Sequence, residues 1–166
     1  MSEQNPYSAP HADLAEPGVE LQLGGRGERL GAVIIDGLMM MAILLPAMFM
    51  TGYFHGVMQG VKPSYGMQLL WGVLGFVVFV VVHGYPLSES GQTWGKKLLK
   101  LKIVDLQGAK PDFLKMIAMR YGVGAVIQLI PIAGSIYGLV DALFIFRDDK
   151  RCIHDHIAGT RVVVAD

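Results

Sequence analysis

Arg29-Leu30-Gly31-Ala32-Val33-Ile34-Ile35-Asp36-Gly37-Leu38-Met39-Met40-Met41-Ala42-Ile43-Leu44-Leu45-Pro46 decides the architecture. From Leu30 to Leu45 every residue is apolar or glycine except Asp36. As a helix, residues 30–50 cover roughly 30 Å, the thickness of a bilayer's hydrocarbon core. An ionisable group placed there costs at least about 2.5–3.5 kcal/mol on insertion scales. Asp36 therefore needs a partner, a proton or water. Arg29 stands seven residues earlier, two helical turns away and on the same face.

The rest of the composition agrees with a membrane chain. Apolar residues make up 52% and charged residues 17% of the 166, and the apolar ones fall in blocks of near-span length. A soluble domain would distribute them at helical or strand period. The length is that of one domain. A formal net charge of zero implies no polyanionic partner, so no nucleic acid is expected. The single cysteine, Cys152, excludes an intrachain disulfide and reads as a spectator thiol in a reducing compartment. The first residues lack a basic stretch followed by an apolar one, so the first span is expected to act as an uncleaved anchor.

Residues 1–25 are polar and rich in helix breakers, and read as a disordered cytoplasmic tail. Residues 26–166 form the membrane domain. Its first span covers about 30–50, with Pro46 as a kink near the far end, and its second about 67–85, with Trp71 and Tyr85 near its two ends as interfacial aromatics. A Gly-rich connection lies between them. Residues 86–116 form a basic loop carrying Lys96, Lys97, Lys100, Lys102, Lys110 and Lys115. The positive-inside rule makes this loop cytoplasmic, and Arg26 and Arg29 agree. Leu101–Asp105 alternates as a strand does and ends in a Gln107-Gly108 turn signal, while Arg161–Val164 is β-branched. Neither is stable as a lone exposed strand, so the two are expected to pair as a small cytoplasmic β-ribbon.

Residues 117–146 would be about 45 Å long as one straight helix, too long for one untilted crossing. Pro131, Ala133, Gly134, Ser135 and Gly138 mark a break near the middle. The expected fold is an all-α membrane protein with about four membrane-embedded helices, the last two (117–130 and 132–146) a bent hairpin, and both termini cytoplasmic. Gly134 and Gly138 have a spacing suited to internal packing or a dimer. Such a hairpin would bring Arg120 and Asp141 to the cytoplasmic depth of Asp36 and His83. Arg120 is the first choice of partner for Asp36.

Each charge carries two readings. Asp36 is either a proton or cation carrier or part of an ion pair that fixes helix packing. Arg29 is expected to snorkel to headgroups. His83 either relays protons or marks the end of a span. Cys152, His154 and His156 alternate at period two and could gather metal ligands on one strand face, but no clear fourth ligand accompanies them, and no metal or cofactor is expected. His154-Asp155 would instead fix the turn into Ala158-Gly159-Thr160. Trp94 with Lys96, Lys97 and Lys100 is expected to contact anionic inner-leaflet lipid. No phosphate loop, nucleophile triad or helical zinc motif is present, so no catalytic residue is assigned and no enzyme is expected.

Arg29 with Asp36, Gly91-Gln92-Thr93-Trp94-Gly95-Lys96-Lys97-Leu98-Leu99, and His154-Asp155-His156-Ile157-Ala158-Gly159-Thr160-Arg161-Val162-Val163 form an ordered set. In this the chain resembles the bacterial RDD family of membrane proteins, over residues 26–164. The family is named for an arginine and two aspartates. The resemblance places the first two at Arg29 and Asp36 and the second aspartate at Asp155, with Asp141 as runner-up. It implies an inner-membrane protein and, for some members, cation–proton exchange. The expected function is a small transporter or ion-coupled permease component, with Arg29, Asp36, His83, Arg120, Asp141 and Asp155 as its functional charges and oligomers to complete a pathway. The rival expectation is a membrane scaffold whose buried charges lock the fold.

Overall fold

Two long helices set the frame. In the computed structural model, which describes residues 21–165, α1 runs Arg26–Met50 and α3 runs Tyr65–Ser90. Their most apolar windows have mean hydropathies of 2.2 and 2.1, and no residue of either window is buried. Both are long and apolar enough to cross a membrane. The Ser64 side chain starts α3 by accepting from the Met67 amide. A short α2, Tyr53–Met58, lies in the Gly-rich connection, and Tyr53 packs edge-on against Trp71.

α3 continues five residues beyond the expected end of the second span. Pro86 lies inside it without ending it, because Leu87 is fully buried in the core and packing outweighs one missing hydrogen bond. The basic loop therefore starts at Gly91. It opens with α4, Trp94–Leu98, and runs into strand β1, Leu101–Asp105. β1 pairs antiparallel with β2, Thr160–Val164, in the register Leu101↔Val164 to Asp105↔Thr160, so the expected ribbon is present. Asp105 closes the turn after β1 by accepting from the Gln107 and Ala109 amides.

Residues 1–20 of the expected tail lie outside the described residues, but its last residues are not free. Leu23 bridges to Val163, the Gly24 amide donates to Val162 O, and the Val164 amide donates to Gln22 O. The start of α1 is thereby fixed to the sheet.

After β1, α5 (Phe113–Lys115) leads into a π-helical segment, Met116–Gly122, and then α6, Val123–Gln128. After a turn, α7 runs Ala133–Leu143 and ends in a 3-10 turn, Phe144–Phe146. α6 and α7 pack on each other as a hairpin. Its closeness depends on Gly134, where a Cβ would lie 2.7 Å from the Gln128 backbone. Gly134 thus serves internal packing, whereas nothing approaches the place where Gly138 would carry a Cβ. α8, Ile153–Ala158, returns the chain to β2. The buried core, Ala32, Leu87, Leu101, Ile103, Met116 and Val162, gathers the sheet and the helix ends around it.

Candidate functional site

Asp36 is held by neutral donors. α4 packs closely on α1, and a Cβ at Gly95 would lie 2.3 Å from Ala32 O, so no other residue fits without moving the backbone. This contact sets the α4 N-terminus beside Asp36. The Thr93 hydroxyl donates to Asp36 Oδ2 at 2.5 Å and the Gly95 amide to Oδ1 at 2.7 Å. Thr93 also caps α4 by accepting from the Lys96 amide. His83 Nδ1 is 3.7 Å from Asp36 Oδ1, too far for a hydrogen bond. The imidazole is fully buried against Phe79, and neither ring nitrogen has a hydrogen-bond partner among the described residues.

The expected pairing of Asp36 with Arg120 is not formed. Arg120 has a carboxylate of its own at Asp155, and the first loop residues supply Asp36 with donors that carry no charge. Asp155 is fully buried in the first turn of α8, where its Oδ2 accepts from the Cys152 amide at 3.1 Å. The same oxygen takes Arg29 Nη2 at 2.7 Å. Oδ1 takes Arg120 Nη1 and the Thr160 hydroxyl, and Thr160 Oγ1 also accepts from Arg120. Arg29 donates further to Lys150 O, and Arg151 to Thr160 O and Asp155 O. Arg29 is 5% exposed and so does not snorkel outward as expected. One carboxylate thus joins α1, the π-helical segment, α8 and β2. Burial acts to raise the Asp155 pKa, but Arg120, His154 and Arg29 outweigh it and hold the carboxyl well below its ordinary range.

A third cluster lies beside this one. Asp141 on α7 accepts from the His154 amide at 3.0 Å and contacts its Nδ1 at 2.7 Å. The ligand atoms of Asp141, Cys152 and His154 lie within 4.8 Å of one another. Cys152, His154 and His156 do not form a row on one strand face, because the segment is helical. Two helical positions turn a side chain by roughly 200°, and His156 pairs with Asp149 at 3.3 Å. Burial, then the negative charge of Asp155, pushes the Cys152 thiol up to about 11. Burial and the Arg120 guanidinium bring His154 below its ordinary value, against the pull of Asp141 and Asp155.

Two cavities meet at Asp141 and His154. One, of about 630 Å³, lies between α3 and the hairpin, with walls from Gln68 to Phe79 on α3 and Gln128 on α6. The other, of about 550 Å³, lies between α1 and α7 and also reaches Arg29, Lys96 and Cys152. Both are lined by Arg120 and Tyr137.

The RDD family model matches residues 23–159, a stretch that holds all three clusters except Thr160. The chain belongs to the RDD family. It is similar to the uncharacterized protein YckC of Bacillus subtilis (strain 168), 28% identical over 137 residues that make up 82% of each chain. No solved structure matches it. In this RDD protein Arg29 is joined to Asp155 and not to Asp36 or Asp141.

Of the basic residues beside Trp94, Lys96 is buried at 7% exposure, which corrects its expected place at the lipid surface. Lys97 and Lys100 are exposed. The Lys97 ammonium lies 5.6 Å from the Trp94 ring centroid, and the Trp94 indole donates to Val82 O. Sequence reasoning missed Thr93, Gly95 and Thr160 as parts of the charged clusters. Thr93 directly before Trp94 is an N-cap residue type, and it places an amide-rich helix start next to whatever acid lies near.

Proposed function

We propose that this RDD protein is a non-enzymatic, multi-pass protein of the bacterial inner membrane, with both termini cytoplasmic, whose hairpin cavity passes a small cation or proton. The carrying observation is the cavity between α3 and the hairpin. Its α3 wall runs from Gln68 to Phe79, roughly 16 Å along the helix and about half of a bilayer core. Amide side chains, Gln68 and Gln128, lie at one end, and the ionisable pair Asp141–His154 lies at the other. Asp141 and His154 replace Asp36 as the moving charges in this reading, because they line both cavities and Asp36 lines neither.

The membrane setting is supported by the outer faces of α1 and α3. Leu38, Val73 and Val81 are 60, 51 and 75% exposed, an apolar surface of the kind that hydrocarbon covers without cost. Trp94, Lys97 and Lys100 would then meet anionic headgroups, and a homo-oligomer would complete the pathway. Labelling of single cysteines in a Cys152→Ser background tests the topology. Lys100→Cys should react from the cytoplasmic side and Gly60→Cys from the other, and the opposite pattern refutes the orientation.

The scaffold reading is favoured by a different observation, the complete internal satisfaction of Asp155. Reconstituted vesicles separate the two. The transport reading predicts that the wild type dissipates an imposed pH gradient in a cation-dependent way and that Asp141→Asn does not. A folded wild type with no flux above protein-free vesicles would leave the scaffold.

A further inference from the structure

Asp141, Cys152 and His154 bring three different donor types to the wall of one cavity. We propose that these three residues form a site for a transition-metal dication of the zinc class, open at its fourth position to the cavity between α1 and α7. This rests on reading the cavities as solute sites and names the class of solute.

The donor chemistry selects the ion. A thiolate and an imidazole suit zinc and its neighbours, whereas sodium, potassium and magnesium prefer oxygen alone. The spacing is close to what is required. Tetrahedral bonds of about 2.0–2.3 Å put ligand atoms roughly 3.3–3.8 Å apart, and these three already lie within 4.8 Å. A rotation of the partly exposed His154 or Asp141 side chain closes the difference, while Cys152 stays fixed as the N-cap residue of α8. The charges also match. On ligation the Cys152 proton leaves to solvent, and the thiolate and the Asp141 carboxylate together balance a dication. Arg29 and Arg120 would repel a nearby cation, but each is turned onto Asp155.

Two further observations point to a ligand here. The cavity of about 550 Å³ is lined by all three residues, which gives the ion an entry and leaves a place for water or an exchanging group. The Tyr137 hydroxyl, from a residue that lines the same cavity, is buried without a hydrogen-bond partner among the described residues. It is available to a metal-bound water.

The test is Co²⁺ titration of the purified full chain in detergent after chelator treatment, with Zn²⁺ as competitor. One ion per chain with a thiolate-to-cobalt charge-transfer band is expected. Cys152→Ser should abolish the band, and His154→Gln and Asp141→Asn should each weaken binding at least ten-fold. His156→Gln should leave it unchanged. Zinc-edge X-ray absorption of the unmutated protein guards against misfolded variants, and one sulfur at about 2.3 Å is expected. The proposal is overturned by the absence of sulfur ligation, or by binding that survives Cys152→Ser and His154→Gln undiminished. Flux of protons or alkali cations without this binding would sink the metal site alone. Binding without any flux would sink the transport reading and leave the metal site standing.

Discussion

Asp155 and Asp141 lie fourteen residues apart on neighbouring elements and have opposite surroundings. Asp155 is fully buried, and arginines from two elements, a hydroxyl and an amide all converge on its two oxygens. Among the described residues Asp141 receives hydrogen bonds from one residue only, His154, and it lines both cavities. The first carboxylate has no capacity left for a ligand. The second has one flexible partner and open space. The difference teaches that an ionisable residue near a span is not functional by its presence. Its spare coordination decides between a lock and a site.

Breaking the lock should have the largest effect. Asp155→Asn leaves Arg29 and Arg120 buried with no anion and should destabilise the protein by about 3–5 kcal/mol, measured by unfolding in detergent. Replacing Arg29, Arg120 and Asp155 together by apolar residues of similar volume sharpens the point. That variant should recover most of the loss, since buried ion pairs are often no better than well-packed apolar groups. No recovery would mean that the charges serve more than packing.

Changes at the Asp36 junction come next. A Cβ at position 95 meets the Ala32 carbonyl, which is backbone and cannot swing aside. Gly95→Ala should therefore cost about 1–3 kcal/mol through overpacking. Thr93→Val keeps the shape but removes the donor to Asp36 Oδ2, at about 1–3 kcal/mol for a buried acceptor left short of a partner. If Thr93→Val is silent, Asp36 is not fixed by its loop and returns as a free charge.

Acid should act on the two regions in sequence. The folded His154 titrates below its ordinary 6.5, so the unfolded chain takes up a proton first as pH falls. Stability of the metal-free protein should decline as pH drops below 6.5 and level off below the folded pKa. The depressed Asp155 pKa adds a second loss only in strong acid, below the ordinary carboxylate value of 3.8. Thermal melting against pH should show both steps, and His154→Gln should reduce the upper one and leave the lower. The smallest stability effect is expected for Asp141→Asn, about 0.5–1.5 kcal/mol for a net hydrogen-bond change, with flux as its larger readout. A loss like that of Asp155→Asn would erase the contrast between the two aspartates.

The elements were more legible than their contacts. Apolar runs gave both long helices, and alternation gave β1 and β2, because burial period is a local property of sequence. The break near Pro131 gave the hairpin. The helix of the second span runs on past Pro86, since a proline's cost is local but the burial of Leu87 that overrides it is not. Among the charged residues, Arg120 was matched to the wrong aspartate. Depth along a helix follows from counting residues, whereas partner choice depends on rotation about the axis, which the π-helical segment around Arg120 alters. Lys96 shows the same limit, being buried while Lys97 beside it is exposed. The Asp141–Cys152–His154 cluster needs α7 and α8 to meet, and no spacing in the sequence reports that.

The tie between Arg29 and Asp155 also has a place in time. The two residues are 126 positions apart, so the arginine is made long before its partner. At about 5–20 residues per second, translation leaves a gap of roughly 6–25 s. During that gap α1 carries its arginine without the carboxylate that buries it, and the ribbon lacks its second strand. A newborn chain must hold its first helix at the membrane surface or in the insertion machinery until Asp155 and β2 have been made. Ribosome stalling shortly before codon 155 should therefore accumulate a protease-sensitive form, and a chain released after Val164 has been made should not.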